Sequence, residues 1–150
     1  MIRIIAIGKK HDSWLQPGIE RFQKRLRPPY DVSWLLLPYS AHYDQTARDD
    51  ESEAIMKRLG DDDFVILLDE TGKTFSTPEI AKQIELIAAQ KTITLVIGGA
   101  YGVNQALKQR ADFTWSFSQL VFPHMIMRLL VIEQLYRIQE VNKGGPYHHY

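Results

Sequence analysis

A chain of 150 residues that is 45% hydrophobic and 24% charged has the length and mix of one soluble globular domain, 1–150, with a core of its own. It contains no cysteine, which excludes disulfides, thiolate metal sites and cysteine nucleophiles and suits a reducing compartment. The formal net charge is zero but unevenly spread: residues 1–30 carry seven Lys/Arg against two Asp/Glu, residues 31–70 three against eleven, and residues 71–150 eight against five. Neutrality weighs mildly against a nucleic-acid partner. The basic group Lys9, Lys10, Arg21, Lys24, Arg25 and Arg27 reads equally as a phosphate-facing patch or a solvated helix face.

The chain opens on a β-rich run, Ile2–Ile7, too short for the apolar region of a signal peptide. No later run reaches membrane-spanning length, so the expected location is the cytoplasm. A helical pattern near Ser13–Leu26 leads to a second β-rich run, Val32–Leu37, and then to a helix near Gln45–Leu59, with Gly60 fitting just past its end. Asp49-Asp50-Glu51 and Asp61-Asp62-Asp63 read as solvated surface. Phe64–Leu68 is the third strand, and its unbroken apolar stretch suits a strand covered on both faces. Ser76-Thr77-Pro78-Glu79 marks the start of a helix over Thr77–Ala89: a capping serine, a proline in the first turn and a glutamate three residues on. Ile93–Ile97, a helix at Asn104–Ala111, Phe113–Phe117 and a last helix near His124–Val141 complete the series. Strands separated by helices of this length predict an α/β fold, a mainly parallel sheet flanked by helices.

Three segments carry candidate chemistry. Ile97-Gly98-Gly99-Ala100-Tyr101-Gly102 follows a buried strand, where glycines let backbone approach a ligand. Its Gly-Gly-x-x-Gly spacing is not the dinucleotide fingerprint, and a plain tight turn is the alternative. Trp115–His124 offers exposed backbone groups for an adenine edge, with Leu120 and Phe122 for apolar contact and Pro123 stiffening the helix start. His124 there is read as a cap or packing residue, or as a neutral imidazole at the positive end of the helix. The tail, Asn142–Tyr150, carries proton-transfer and base-stacking residues behind a Gly-Gly-Pro turn; its two histidines lack partners for a metal site. The last helix is apolar at nearly every angle, as expected either of a homodimer or of burial within one chain.

Leu68-Asp69-Glu70-Thr71-Gly72-Lys73, Ile97–Gly102, Ser116-Phe117-Ser118 with Phe122-Pro123-His124, Arg128, Glu133-Gln134-Leu135-Tyr136-Arg137 and Pro146-Tyr147-His148 fall in order along the chain. With this set the chain resembles the SPOUT-class ribosomal RNA large subunit methyltransferase H family over its whole length. The resemblance implies an α/β fold tied into a C-terminal trefoil knot and a homodimer with its active site at the subunit interface. It also implies an S-adenosylmethionine (SAM)-dependent enzyme that methylates N3 of a pseudouridine in large-subunit (23S) rRNA on the assembled ribosome, with neither membrane nor metal. By position, Leu68, Gly99 and the loop Ser118, Gln119, Leu120, Val121, Phe122 and Pro123 would contact SAM. Tyr147 and His148 would serve the target base as catalytic residues, and Arg128, Arg137 and His124 would hold base or phosphate. Val121 stands where the family carries threonine, and His149 where lysine or arginine is common. A tRNA-modifying SPOUT enzyme, a non-catalytic ribosome-binding factor and a nucleotide-dependent oxidoreductase remain the rival readings.

Overall fold

The computed structural model describes residues 1–149; Tyr150, the second tyrosine of the tail, lies outside the described residues. Strands and helices alternate: β1 Ile2–Ile7, α1 Gln16–Gln23, β2 Val32–Leu37, α2 Asp44–Met56, β3 Phe64–Lys73, α3 Thr77–Ala88, β4 Ile93–Ile97, α4 Gln105–Arg110, β5 Phe113–Trp115 and α5 His124–Lys143. The strands form one parallel sheet in the order β2-β1-β4-β3-β5.

Successive side chains of a strand point to opposite faces, and this sequence fills both. Ile2, Ile4 and Ala6 of β1 and Leu95 and Ile97 of β4 form one core with α1, α3 and α5. Ile5 and Ile7 of β1, with Val65, Leu67 and Val96, meet Ile55 of α2 and Leu107 of α4 in the other. α5 packs on α1, α3 and β4. Val131, Ile132, Leu135 and Ile138 of α5 are fully buried, worth about 1.5–3 kcal/mol each. Met125, Met127, Leu129 and Tyr136 pack against the same core, so much of this helix's apolar circumference is covered by its own chain.

β1, β2 and β4 have the bounds expected from the sequence, and Ser76 caps α3, its Oγ accepting the Glu79 N–H at 3.3 Å. Elsewhere the structure differs. α2 ends at Met56, so Gly60 does not terminate it; its N–H instead donates to Asp63 Oδ2 at 2.8 Å. Asp63 also pairs with Arg3 at 3.0 Å, and Glu51 is only 5% exposed, so the two acidic stretches are partly structural. β3 continues past Leu68 because a bulge takes up Asp69–Gly72 before Lys73 rejoins Trp115. Asp69 Oδ1 accepts from the N–H and hydroxyl of Thr71 within it. β5 stops at Trp115, although the Ser116 N–H still donates to Lys73 O at 2.9 Å. At the far end, Gly144 adopts φ +72° and the Gly145 N–H caps Glu140 O at 2.8 Å. This left-handed cap turns the tail back onto α5. Among the described residues no helix is long and apolar enough to cross a membrane.

Candidate active site

In a parallel sheet the loops after β3, β4 and β5 leave from the same edge, where α/β folds bind ligands. Leu68, Asp69 and Glu70 of β3, the loop 97–103 and the segment 117–123 enclose a cleft of about 640 Å³, closed by His124 and Met127 of α5. This is the size of a small-molecule site. Leu68, Gly99, Ser118, Leu120, Val121, Phe122, Pro123 and His124 line it; Gln119 is exposed and does not. Asp69, Glu70 and Tyr101, which the sequence offers as motif residues without a site role, also line it, as does Met127. Among the described residues the wall thus carries two carboxylates and neither lysine nor arginine, with the Arg128 charge reaching it only from behind His124, so the lining itself favours a cationic ligand over a phosphate-bearing one.

α2 supports the glycine loop. Arg48 Nε donates to Tyr101 O at 2.8 Å, Ser52 Oγ accepts the Asn104 N–H at 2.9 Å, and Asp49 Oδ1 accepts from the Asn104 amide at 3.2 Å. Glu51 accepts the Ser40 N–H at 3.0 Å through Oε2, while its buried Oε1 has no hydrogen-bond partner among the described residues. A Cβ on Gly99 would lie 2.6 Å from that Oε1 and 3.2 Å from Ile7 Cγ2. Only glycine leaves the loop this close to α2 and β1.

Tyr147 and His148 lie elsewhere. The Tyr147 hydroxyl donates to Glu133 Oε1 at 3.2 Å; its ring meets Tyr136 at 4.8 Å and the Arg137 guanidinium at 4.7 Å. Burial, followed by the Glu133 carboxylate, holds the Tyr147 phenol above its usual pKa. Arg137 Nη1 is 3.3 Å from His148 Nδ1, and Arg137 Nη2 pairs with Glu133. Neither Tyr147 nor His148 lines the cleft, and their supports on α5, Glu133 to Arg137, lie six to ten residues past Met127, the last cleft residue of that helix, about 9–15 Å at the helical rise. Cleft and tail are therefore two clusters at two stations along α5.

Residues 1–148, both clusters included, match the family model described as "Predicted SPOUT methyltransferase". The chain belongs to this SPOUT family. Similar proteins include the "Ribosomal RNA large subunit methyltransferase H" of Desulfitobacterium hafniense (strain DSM 10664 / DCB-2), 36% identical over 156 residues and 98% of each chain. Proteins of the same name from Streptococcus suis (strain 05ZYH33) and Natranaerobius thermophilus are 35% and 36% identical, again over 98% of each chain.

One residue of the SPOUT pattern faces inward. Arg128 is fully buried, and its guanidinium donates to Ile7 O at 2.8 Å, Gly8 O at 2.9 Å and Lys10 O at 3.0 Å, with His11 Nδ1 at 3.1 Å. The placement does not support its expected contact with base or phosphate: the helix around it is apolar on nearly every side, and carbonyls at the end of β1 replace its water. Burial, followed by the Arg128 charge, holds the pKa of both His11 and His124 below the usual histidine value. His124 sits edge-on to Tyr39 at 5.8 Å, its buried Nδ1 without a hydrogen-bond partner among the described residues. Both imidazoles protonate less readily folded than unfolded, so the unfolded chain binds more protons below about pH 6.5. Stability should be full above that pH and fall as the pH drops through it. Melting curves should be flat from pH 8 to 7 and decline below, less steeply in a His11→Gln/His124→Gln variant. The same slope in both proteins would assign the decline to other groups.

Proposed function

We propose that the chain is a SAM-dependent methyltransferase that methylates N3 of a pseudouridine in large-subunit (23S) rRNA, on the assembled ribosome in the cytoplasm. The observation that carries the cofactor is the charge of the cleft. SAM brings a sulfonium and an ammonium against one carboxylate, and among the described residues the wall itself offers Asp69 and Glu70 and no lysine or arginine. The RNA is supported by the relatives named for it at 35–36% identity, and the pseudouridine by the family resemblance.

Leu68, Gly99, Ser118, Leu120, Phe122 and Pro123 would hold SAM, with Val121 through its backbone alone, while Gln119 stands outside the cleft. Bound there, SAM supplies a methyl group on a sulfonium that is already a good leaving group. The protein then has to position the base in line and take one proton from N3–H, a weakly acidic imide. His148 accepts that proton, Tyr147 stacks on or hydrogen-bonds the base, and Arg137 holds base or phosphate. His124, neutral and on the cleft wall, is the second candidate acceptor. With Tyr147 and His148 held against Glu133, Tyr136 and Arg137 and absent from the cleft's lining, this reading takes a homodimer in which one protomer's tail serves its partner's cleft. The family resemblance also implies a trefoil knot in the C-terminal part of the chain.

The test is transfer of labelled methyl from SAM to ribosomes lacking the modification, with free rRNA and tRNA in parallel. Label at a pseudouridine of large-subunit rRNA is expected. Label in tRNA alone would redirect the substrate, and absence of SAM binding would overturn the reading. Within it, Gly99→Ala should weaken SAM binding by calorimetry at least tenfold, about 1.4 kcal/mol, because the added methyl drives the loop off Glu51. Unchanged affinity would separate that loop from the cofactor.

A further inference from the structure

We propose that the exposed side of α1 and the turn after it, Arg21, Lys24, Arg25 and Arg27, is the surface on which the phosphate backbone of the ribosomal RNA lies while the target base is at the tail. This rests on the rRNA reading above and adds the path of the RNA.

Spacing gives the first support. Arg21, Lys24 and Arg25 stand at i, i+3 and i+4, so they project from one side, and all four residues are exposed. Their pairing is the second. Arg3, Arg110 and Arg137 each meet a carboxylate, whereas among the described residues none of these four forms an ion pair. Of the neighbouring acids, Asp31 lies 3.7 Å from the amino terminus and Glu140 3.6 Å from Lys143 Nζ, while Glu20 accepts from the Gln16 amide at 2.9 Å and leaves one negative charge beside four positive ones. Arg27 Nη1 rests on Lys24 O and Leu26 O at 2.8 and 2.9 Å, which fixes its direction without neutralising it. Like charges held on one side repel each other, and a polyanion that covers them relieves this and releases counterions.

Anchorage is the third. Gln139 of α5 is 1% exposed, and its amide donates to Arg25 O at 3.1 Å and accepts the Arg27 N–H at 2.7 Å. A buried side chain thus bolts the basic ridge to the helix that carries Arg137. From the ridge an aromatic path runs to the tail: Phe22 to Tyr136 at 5.9 Å, then Tyr136 to Tyr147 at 4.8 Å. Phosphate-binding and base-binding groups lie side by side on a single rigid support.

The test compares the Arg21→Glu/Lys24→Glu/Arg25→Glu variant with a control of equal charge change elsewhere, Lys57→Glu/Lys91→Glu/Lys108→Glu. Methyl transfer is followed against ribosome concentration between about 50 and 200 mM salt, with SAM affinity and sedimentation measured alongside. The ridge variant should need at least about tenfold more ribosomes for half-maximal rate, with SAM affinity and oligomeric state unchanged. Its log–log salt slope should be shallower by about two to three, one phosphate for each lost cation. The control should match the wild type. Wild-type saturation and slope in the ridge variant, an equal loss in the control, or an altered oligomeric state in the ridge variant would each overturn the surface. Failure of the wild-type protein itself to methylate ribosomes would strike the functional reading first, and the surface with it.

Discussion

Arg128→Met should lower stability by about 3 kcal/mol or more, because the carbonyls of Ile7, Gly8 and Lys10 lose a buried donor that water cannot readily replace. At this chain length that is a fall in melting temperature of roughly 10 °C. Arg128→Lys should recover only part of it, since one ammonium cannot span acceptors that a planar fork reaches together. The size of the effect decides between two roles. An arginine kept for RNA would leave the melting curve unchanged on substitution and raise the ribosome concentration needed for turnover. The geometry here predicts the reverse order of damage: first the end of β1, then everything built upon it, His124 and the cleft wall included.

His148→Ala should cut turnover by about 10²- to 10⁴-fold, the range for losing a positioned proton acceptor, with SAM affinity nearly intact. Equal loss of both would remove His148 from that role. Mixed dimers make the test sharper. A dimer of one Gly99→Ala chain and one His148→Ala chain places both defects in one shared site and none in the other, if tail and cleft come from different protomers. Such a dimer should regain activity from one of its two sites, although each parent homodimer is inactive or impaired. If cleft and tail of the same chain worked together, every site would carry a defect and mixing would restore nothing.

Much of this was legible in the sequence because each signal was local. The two-residue alternation of β1 sends Ile4 and Ile5 to different cores, and Ser76 finds Glu79 within one turn. The cleft's loops follow strands whose apolar runs are unmistakable. What escaped was decided at long range. Arg48, Asp49 and Ser52 look like solvated helix until the fold brings them to residues 101–104. A signal was present, since Ala47, Glu51 and Ile55 share one helical side and all are buried. Arg128 was open to the same reasoning: in a helix apolar on nearly all sides, an arginine in its second turn has little water to point towards. The bulge of β3 hid behind the polarity of Asp69–Gly72, which locally spells a turn rather than a continuing strand.

α5 has a further consequence as a measuring rod. Its twenty residues carry the cleft's His124 at one end and the support of the tail at the other, with no joint between them. Inserting one residue would rotate those ends relative to each other by about 100° and separate them by a further ~1.5 Å. The two stations would then fall out of phase, however well each was preserved. If cleft and tail serve one reaction as proposed, side chains along the rod are free to change while the spacing between its two stations is not.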